Sequence, residues 1–210
     1  INFPKKKLIY GNLIKTLRYG ENPHQESAVY AQTSDIKINQ IHGKQLSYNN
    51  YNDIFSALTI SKSLPKKRGV VIVKHANPCG VSVLKNNIES YKKALACDPI
   101  SAFGGIVSCN FKITKTLALE LNKIFLEVIV ANGFDKQALQ ILKFKKNLRL
   151  IDASSFSINE ILRFNSINKS TLVQSEDKFI FSKKNFQIVS KKKPNKFQFN
   201  NLLFAFNVCR

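Results

Sequence analysis

The hydrophobic pattern is least ambiguous at Val70-Val71-Ile72-Val73, four consecutive β-branched residues after Gly69. An unbroken apolar run of this length predicts a strand buried on both faces. Upstream, Ala28–Ala31 reads as a short strand. Asn52 is placed to cap a helix carrying Ile54, Ala57, Leu58 and Leu64, which Pro65 and the basic turn Lys66-Lys67-Arg68 end. Downstream, Ile88–Ala96 predicts a helix with Tyr91, Ala94 and Leu95 on one side and Asp98-Pro99 as its stop. The Gly104-Gly105 pair within Ser101–Asn110 leads into a second apolar strand. Thr114 then opens a helix with Leu117, Leu121, Ile124 and Phe125 inward, and Glu127–Ala131 is a third strand. Asp135 caps a helix carrying Ala138, Leu139 and Leu142, and Lys145–Ile151 closes with a fourth strand. Strands alternating with helices at this spacing predict a layered α/β domain with a mostly parallel or mixed sheet.

The flanks follow neither period. Residues 1–15 read as a basic lead-in, residues 16–152 as the α/β domain, and residues 153–197 as an irregular basic connection. That connection has candidate short strands at Ser170–Gln174 and Phe186–Val189. In residues 198–210, Phe199, Leu202, Leu203 and Phe206 keep helical spacing, which reads as the start of a second, truncated subdomain.

Composition narrows the classes. No apolar run approaches the roughly 18 residues of a membrane span, and Ile1–Lys7 lacks the apolar centre of a signal peptide. The cysteines at 79, 97, 109 and 209 have no tight pairing pattern, so reduced thiols in the cytoplasm are expected. The net charge of +20 raises nucleic acid, or an anionic small molecule drawn in by the field. The lysines are dispersed, with no basic stripe interleaved with aromatics, and a nucleic-acid partner is therefore not expected.

Candidate chemistry concentrates after the buried strand, in Lys74-His75-Ala76-Asn77-Pro78-Cys79-Gly80. Asn77-Pro78 should end the strand, leaving an ammonium and an imidazole at its carboxyl end, where open α/β sheets place ligand sites. In a regular strand Lys74 and His75 would face opposite sides, so one site can use both only if the backbone turns there. Zinc-deaminase chemistry would need Pro-Cys-x-x-Cys and a local third ligand, but Ser82 stands at the second cysteine position. A Cys79 nucleophile and acid–base work by Lys74 and His75 both stay open beside a plainer outcome, a packed histidine next to a solvated lysine. Arg18 and Tyr19 bring a phosphate-matching fork and a ring with a hydroxyl to a polar loop. On chemistry alone that loop reads as a surface turn.

Several stretches, taken together and in order, resemble one family. They are Leu17–Gln25 (LRYGENPHQ), His42–Asn50 (HGKQLSYNN), Lys74–Gly80 (KHANPCG), Asp98–Gly105 (DPISAFGG), Glu127–Ala131 (EVIVA) and Lys145–Arg149 (KKNLR). They resemble the formyltransferase part of the AICAR formyltransferase/IMP cyclohydrolase family over about residues 15–210. The resemblance implies a cytidine-deaminase-like α/β/α fold without its zinc, and formyl transfer from 10-formyltetrahydrofolate, a co-substrate, to the 5-amino group of AICAR. His75 would be the proton acceptor, and Lys74 would stabilise the transition state or assist the folate leaving nitrogen. Arg18 and Tyr19 would hold the nucleotide with Lys146 near its phosphate, and Gly104 and Glu127 would line the AICAR site. The family's cyclohydrolase domain normally precedes this region. A second subdomain follows it, supplying an active-site Asn and much of the folate site, partly across a homodimer interface. The resemblance therefore implies that this chain alone holds part of the nucleotide site and turns over little. A noncatalytic remnant or basic nucleic-acid-binding module is the alternative reading.

Overall fold

In the computed structural model, which describes residues 3–158, 162–177 and 179–209, the Val70–Val73 run is a strand with every side chain buried. The elements run β1 (Asn12–Leu17), β2 (Ser27–Ala31), β3 (Asn39–His42), α1 (Tyr48–Ser63), β4 (Gly69–Lys74), β5 (Asn77–Val83), α2 (Asn87–Leu95) and α3 (Pro99–Ala102). They continue with β6 (Ile106–Cys109), α4 (Lys115–Leu121), β7 (Val128–Ala131), α5 (Lys136–Leu142), β8 (Arg149–Asp152), β9 (Leu162–Ile167), β10 (Ser170–Ser175) and α6 (Lys196–Cys209). Two compact units result, Lys5–Ile158 and a smaller one of Ile1–Pro4 with Asn159–Arg210.

The larger unit is built on a six-stranded mixed sheet in the order β3-β8-β7-β6-β4-β5. Strands β6, β7 and β8 are parallel, while β4 runs antiparallel to β6 and β5, and β3 antiparallel to β8. Residue alternation divides the β-branched strands between two covered faces. Val70, Ile72, Val107, Cys109, Ile129 and Leu150 pack with α2, α4 and α5 through Tyr91, Leu117, Leu121, Ala138 and Leu142. The opposite face receives α1, whose Ser61 hydroxyl meets that of Ser108 at 2.8 Å. The mixed, helix-covered sheet is the α/β class expected. Among the described residues no helix is long and apolar enough to cross a membrane.

Several local expectations are corrected. Asn77-Pro78 does not end the pairing: the chain reverses at His75-Ala76 and Pro78 lies on β5. That strand is one of the sheet's two outer ones, where proline is tolerated. Residues 12–15 are not lead-in but part of β1, paired with β2. Helix α1 is capped by Ser47 rather than Asn52, because Ser47 and Asn50 form a reciprocal box. The Ser47 hydroxyl accepts from the Asn50 N–H at 3.2 Å, and the Asn50 side-chain Oδ1 accepts from the Ser47 N–H at 3.2 Å. Ser47→Ala is expected to lower stability by about 1 kcal/mol, measured by urea denaturation. Phe125 is 49% exposed rather than inward, because α4 ends at Leu121. Asp135 precedes α5 without a side-chain capping bond and pairs with Lys112 at 2.7 Å.

The smaller unit holds the β9–β10 hairpin, of which only the second strand was expected. Phe186–Val189 is not a strand. Phe186 instead joins Phe181, Phe199 and Phe206 in a cluster of edge-on and tilted rings on α6, which forms where the apolar spacing predicted a helix.

Candidate functional site

Register decides which candidates meet. Val73 pairs with Ile106, Ile106 with Val128 and Val128 with Arg149, so one row of the sheet runs across β4, β6, β7 and β8. One step beyond that row stand Lys74, Gly105 and Glu127. Backbone bonds continue across this edge, from Gly104 N to Phe125 O at 2.9 Å and from Glu127 N to Gly105 O at 3.1 Å. Lys74 and His75 do lie at the carboxyl end of their strand. Because β4 is antiparallel to β6, that edge is the amino end of the parallel strands, not the carboxyl end usual for open α/β sheets.

The tip of the β4–β5 hairpin is a two-residue turn, His75-Ala76, with φ of 57° and 59°. Two left-handed residues are what a tight hairpin demands, and Asn and Gly ordinarily supply them. Here a histidine and an alanine hold that conformation at a cost of roughly 1–2 kcal/mol each. His75 is exposed at the tip and lies outside the strand, so strand alternation no longer separates it from Lys74. Lys74 is half-buried and donates to Phe103 O at 2.6 Å. Gly104 has a φ of +73°, and a Cβ built there would stand 4.0 Å from Lys74 Nζ.

Helix α1 ties the pieces together. Asn50, 4% exposed, donates through Nδ2 to Glu127 Oε2 at 3.0 Å. Asp53 Oδ1 accepts from the Ala76 N–H at 2.6 Å, and Asn49 donates to Glu21 O at 3.3 Å. Burial pushes the Asp53 carboxyl above the ordinary aspartate range, while the Ala76 N–H and the His75 charge pull it back. Arg149, whose side chain is only 16% exposed, has Nη1 at 3.7 Å from Glu127 Oε2, and its Nε donates to Gln45 O at 3.3 Å.

Arg18 and Tyr19 follow β1, with the Arg18 guanidinium 5.9 Å from the centre of the Tyr19 ring. The Tyr19 carbonyl accepts from the Ser27 hydroxyl at 2.6 Å, and the Asn49–Glu21 bond attaches this loop to the first turn of α1. Thus Lys74, His75, Gly104 and Glu127 share one edge, and Arg18 and Tyr19 are linked to it through the helix. Lys146 is exposed in the turn before β8, and no hydrogen bond or ion pair among the described residues joins it to the others. Its neighbour Lys145 is fixed on Asn122 O and Ile124 O at 2.7 and 2.9 Å. Cys79 packs its sulfur against Ile72 O at 3.5 Å, and burial pushes the thiol up, away from the thiolate a nucleophile needs.

The sequence reading does not single out Asn50, Asp53 or Arg149. The Ser47-x-x-Asn50 spacing carries a usable signal, because moving the helix start to Ser47 places residues 49, 50 and 53 on one helical face. Chemically, the edge offers an imidazole on an exposed tip, an ammonium with donors to spare, and a carboxylate aimed by a carboxamide and a guanidinium. That set suits proton removal from a weakly nucleophilic group beside a developing negative charge.

A family model described as AICARFT/IMPCHase bienzyme matches residues 2–210. The chain belongs to that family. It is similar to the bifunctional purine biosynthesis protein PurH of Caulobacter vibrioides, at 40% identity over 99% of this chain and 41% of that protein. The PurH proteins of Rhodospirillum rubrum and Bacillus cereus (strain AH187) are 41% and 42% identical, over 99% and 92% of this chain and 40% and 39% of theirs. The chain thus spans about 40% of the length of these relatives, which are bifunctional purine-biosynthesis proteins.

Proposed function

We propose that this chain carries the formyltransferase side of the family's chemistry, transferring a formyl group from 10-formyltetrahydrofolate to the 5-amino group of AICAR. The observation that carries the reading is the placement of Lys74, His75 and Glu127 along one sheet edge, with Gly104 beside Lys74 Nζ. The AICAR amine is a poor nucleophile because its lone pair is shared with the ring. As the new C–N bond forms, the amine loses a proton, for which His75 is the acceptor. Negative charge grows on the formyl oxygen, for which the Lys74 ammonium is the counter-charge. The bond to the folate nitrogen then breaks, and that nitrogen regains a proton. Glu127, held by Asn50, orients the heterocycle, and Arg18 and Tyr19 hold the nucleotide with Lys146 placed for its phosphate. The step calls for no metal. The same reading gives the larger unit a cytidine-deaminase-like layering, a cytoplasmic setting, and a homodimer that completes the folate site.

Calorimetry of AICAR binding to this chain tests the nucleotide half. Binding is expected, and Arg18→Ala should weaken it about tenfold or more, the cost of a charge-assisted bond. Conversion of FAICAR to IMP by the chain, without AICAR binding, would assign it to the cyclohydrolase side instead. Salt-sensitive binding to random DNA, indifferent to His75→Ala and with no AICAR binding, would favour a basic binding module.

A further inference from the structure

We propose that Asp53 is the positioning residue of this site, holding the His75–Ala76 turn in its left-handed form and thereby fixing where the His75 ring stands. Three observations carry this. First, the two-residue hairpin demands left-handed φ at both positions, yet neither residue is Gly and Ala76 has no polar side chain to bond its own backbone, so the residues themselves disfavour the conformation the turn requires. A contact from outside the hairpin would offset that cost. Second, the Ala76 N–H points at Asp53 Oδ1 at 2.6 Å, a short charge-assisted bond reaching from α1 to the hairpin tip. Asn77 adds a tie from within, donating through Nδ2 to His75 O at 2.9 Å. Third, Asp53 lies one helical turn after Asn50, which aims Glu127, and after Asn49, which holds the Glu21 loop. One face of one helix therefore sets the base, the carboxylate and the loop bearing Arg18 in register.

The Asp53 carboxylate accepts from the turn's N–H and carries a charge. Of the charged groups around it, His75 favours its ionised form and Glu127 opposes it. Asp53 acts through His75 and need not touch substrate. The consequence for formyl transfer rests on the function proposed above, but the turn itself does not.

The test is amide hydrogen exchange at Ala76, followed by NMR on the whole chain, for wild type, Asp53→Asn and Asp53→Ala. Asp53→Ala should speed Ala76 exchange about tenfold, as expected for one lost hydrogen bond, while Asp53→Asn, which keeps an acceptor oxygen, should retain most of the protection. Wild-type exchange in a folded Asp53→Ala chain would overturn the proposal. Should Asp53→Ala fail to fold, Asp53→Leu, which fills the space without an acceptor, decides: Ala76 exchange faster than in Asp53→Asn supports the proposal, and wild-type exchange overturns it. Where turnover is measurable, Asp53→Ala should lower kcat about tenfold with KM for AICAR nearly unchanged, and Asp53→Asn should restore part of it. A change in KM alone would overturn the positioning role. Failure of the wild-type chain to bind AICAR would sink the formyltransferase reading and leave the exchange result standing.

Discussion

Gly43→Ala is expected to cost at least about 3 kcal/mol, enough to unfold a chain of ordinary stability. The residue has a φ of +92°, and a Cβ built on it would stand 2.1 Å from Leu148 O and 2.8 Å from Arg149 Cα. Both neighbours are backbone at the start of β8, so no side chain can swing aside. Relief requires β3 to part from β8, where His42 pairs with Leu150 and His42 Nε2 lies 3.3 Å from Lys145 O. The turn is stapled as well, because the Gln40 carboxamide donates to Lys44 O at 2.6 Å and lies within 3.3 Å of the His42 and Gly43 carbonyls. Arg149 sits on the far side of the clash, so a surviving fold would also displace the guanidinium near Glu127. Gly104→Ala is the control. It faces a comparable backbone penalty of about 1 kcal/mol, yet its Cβ would meet the Phe125 ring at ordinary contact distances of 3.5 and 3.6 Å and stand 4.0 Å from Lys74 Nζ. Urea denaturation should separate the two variants by roughly 2 kcal/mol or more. Equal midpoints would show that β8 yields where the packing says it cannot.

The contrast bears on how much of the molecule its sequence discloses. Continuous β-branched runs and helical spacing identify β4, β6, β7 and β8 and their covering helices, because both faces of the central sheet are dry. Pattern fails where pairing compensates for weak local signals. Strand β5 opens on Asn77-Pro78, a pair that reads as a stop until the strand proves to be one of the sheet's two outer ones. Strand β1 is largely exposed and has no buried stripe to betray it. The site divides in the same way. Lys74 and His75 are legible as chemistry at a strand end, and the family resemblance adds Arg18, Tyr19, Gly104, Glu127 and Lys146. What the sequence cannot convey is the turn at His75-Ala76, since neither residue advertises a left-handed conformation. Helix α1 as the element joining site and loop is equally hidden, because Asn50 and Asp53 sit in a polar stretch that reads as loop or helix cap.

His75→Ala is expected to lower kcat for FAICAR formation by two to four orders of magnitude, the range for losing a general base, with AICAR affinity little changed. The assay should be run on this chain and on any longer polypeptide that contains it. The asymmetry between kcat and affinity follows from the geometry. His75 projects from an exposed hairpin tip, whereas Glu127 and Asn50 form a separate, helix-anchored contact suited to binding. Lys74→Met should also lower kcat, but with a second effect. The ammonium already donates to Phe103 O at 2.6 Å, so removing it frees the segment between α3 and β6 where Gly104 lies, and affinity should fall with it. The pH profile gives an independent reading: the acidic limb of kcat/KM, which reports protonation of a base, should vanish in His75→Ala and persist in Lys74→Met. An active His75→Ala enzyme with that limb intact would remove His75 from the mechanism. Glu127 would then be the candidate base, since it is the other titratable group on this edge with a carboxylate oxygen already oriented by Asn50 and Arg149.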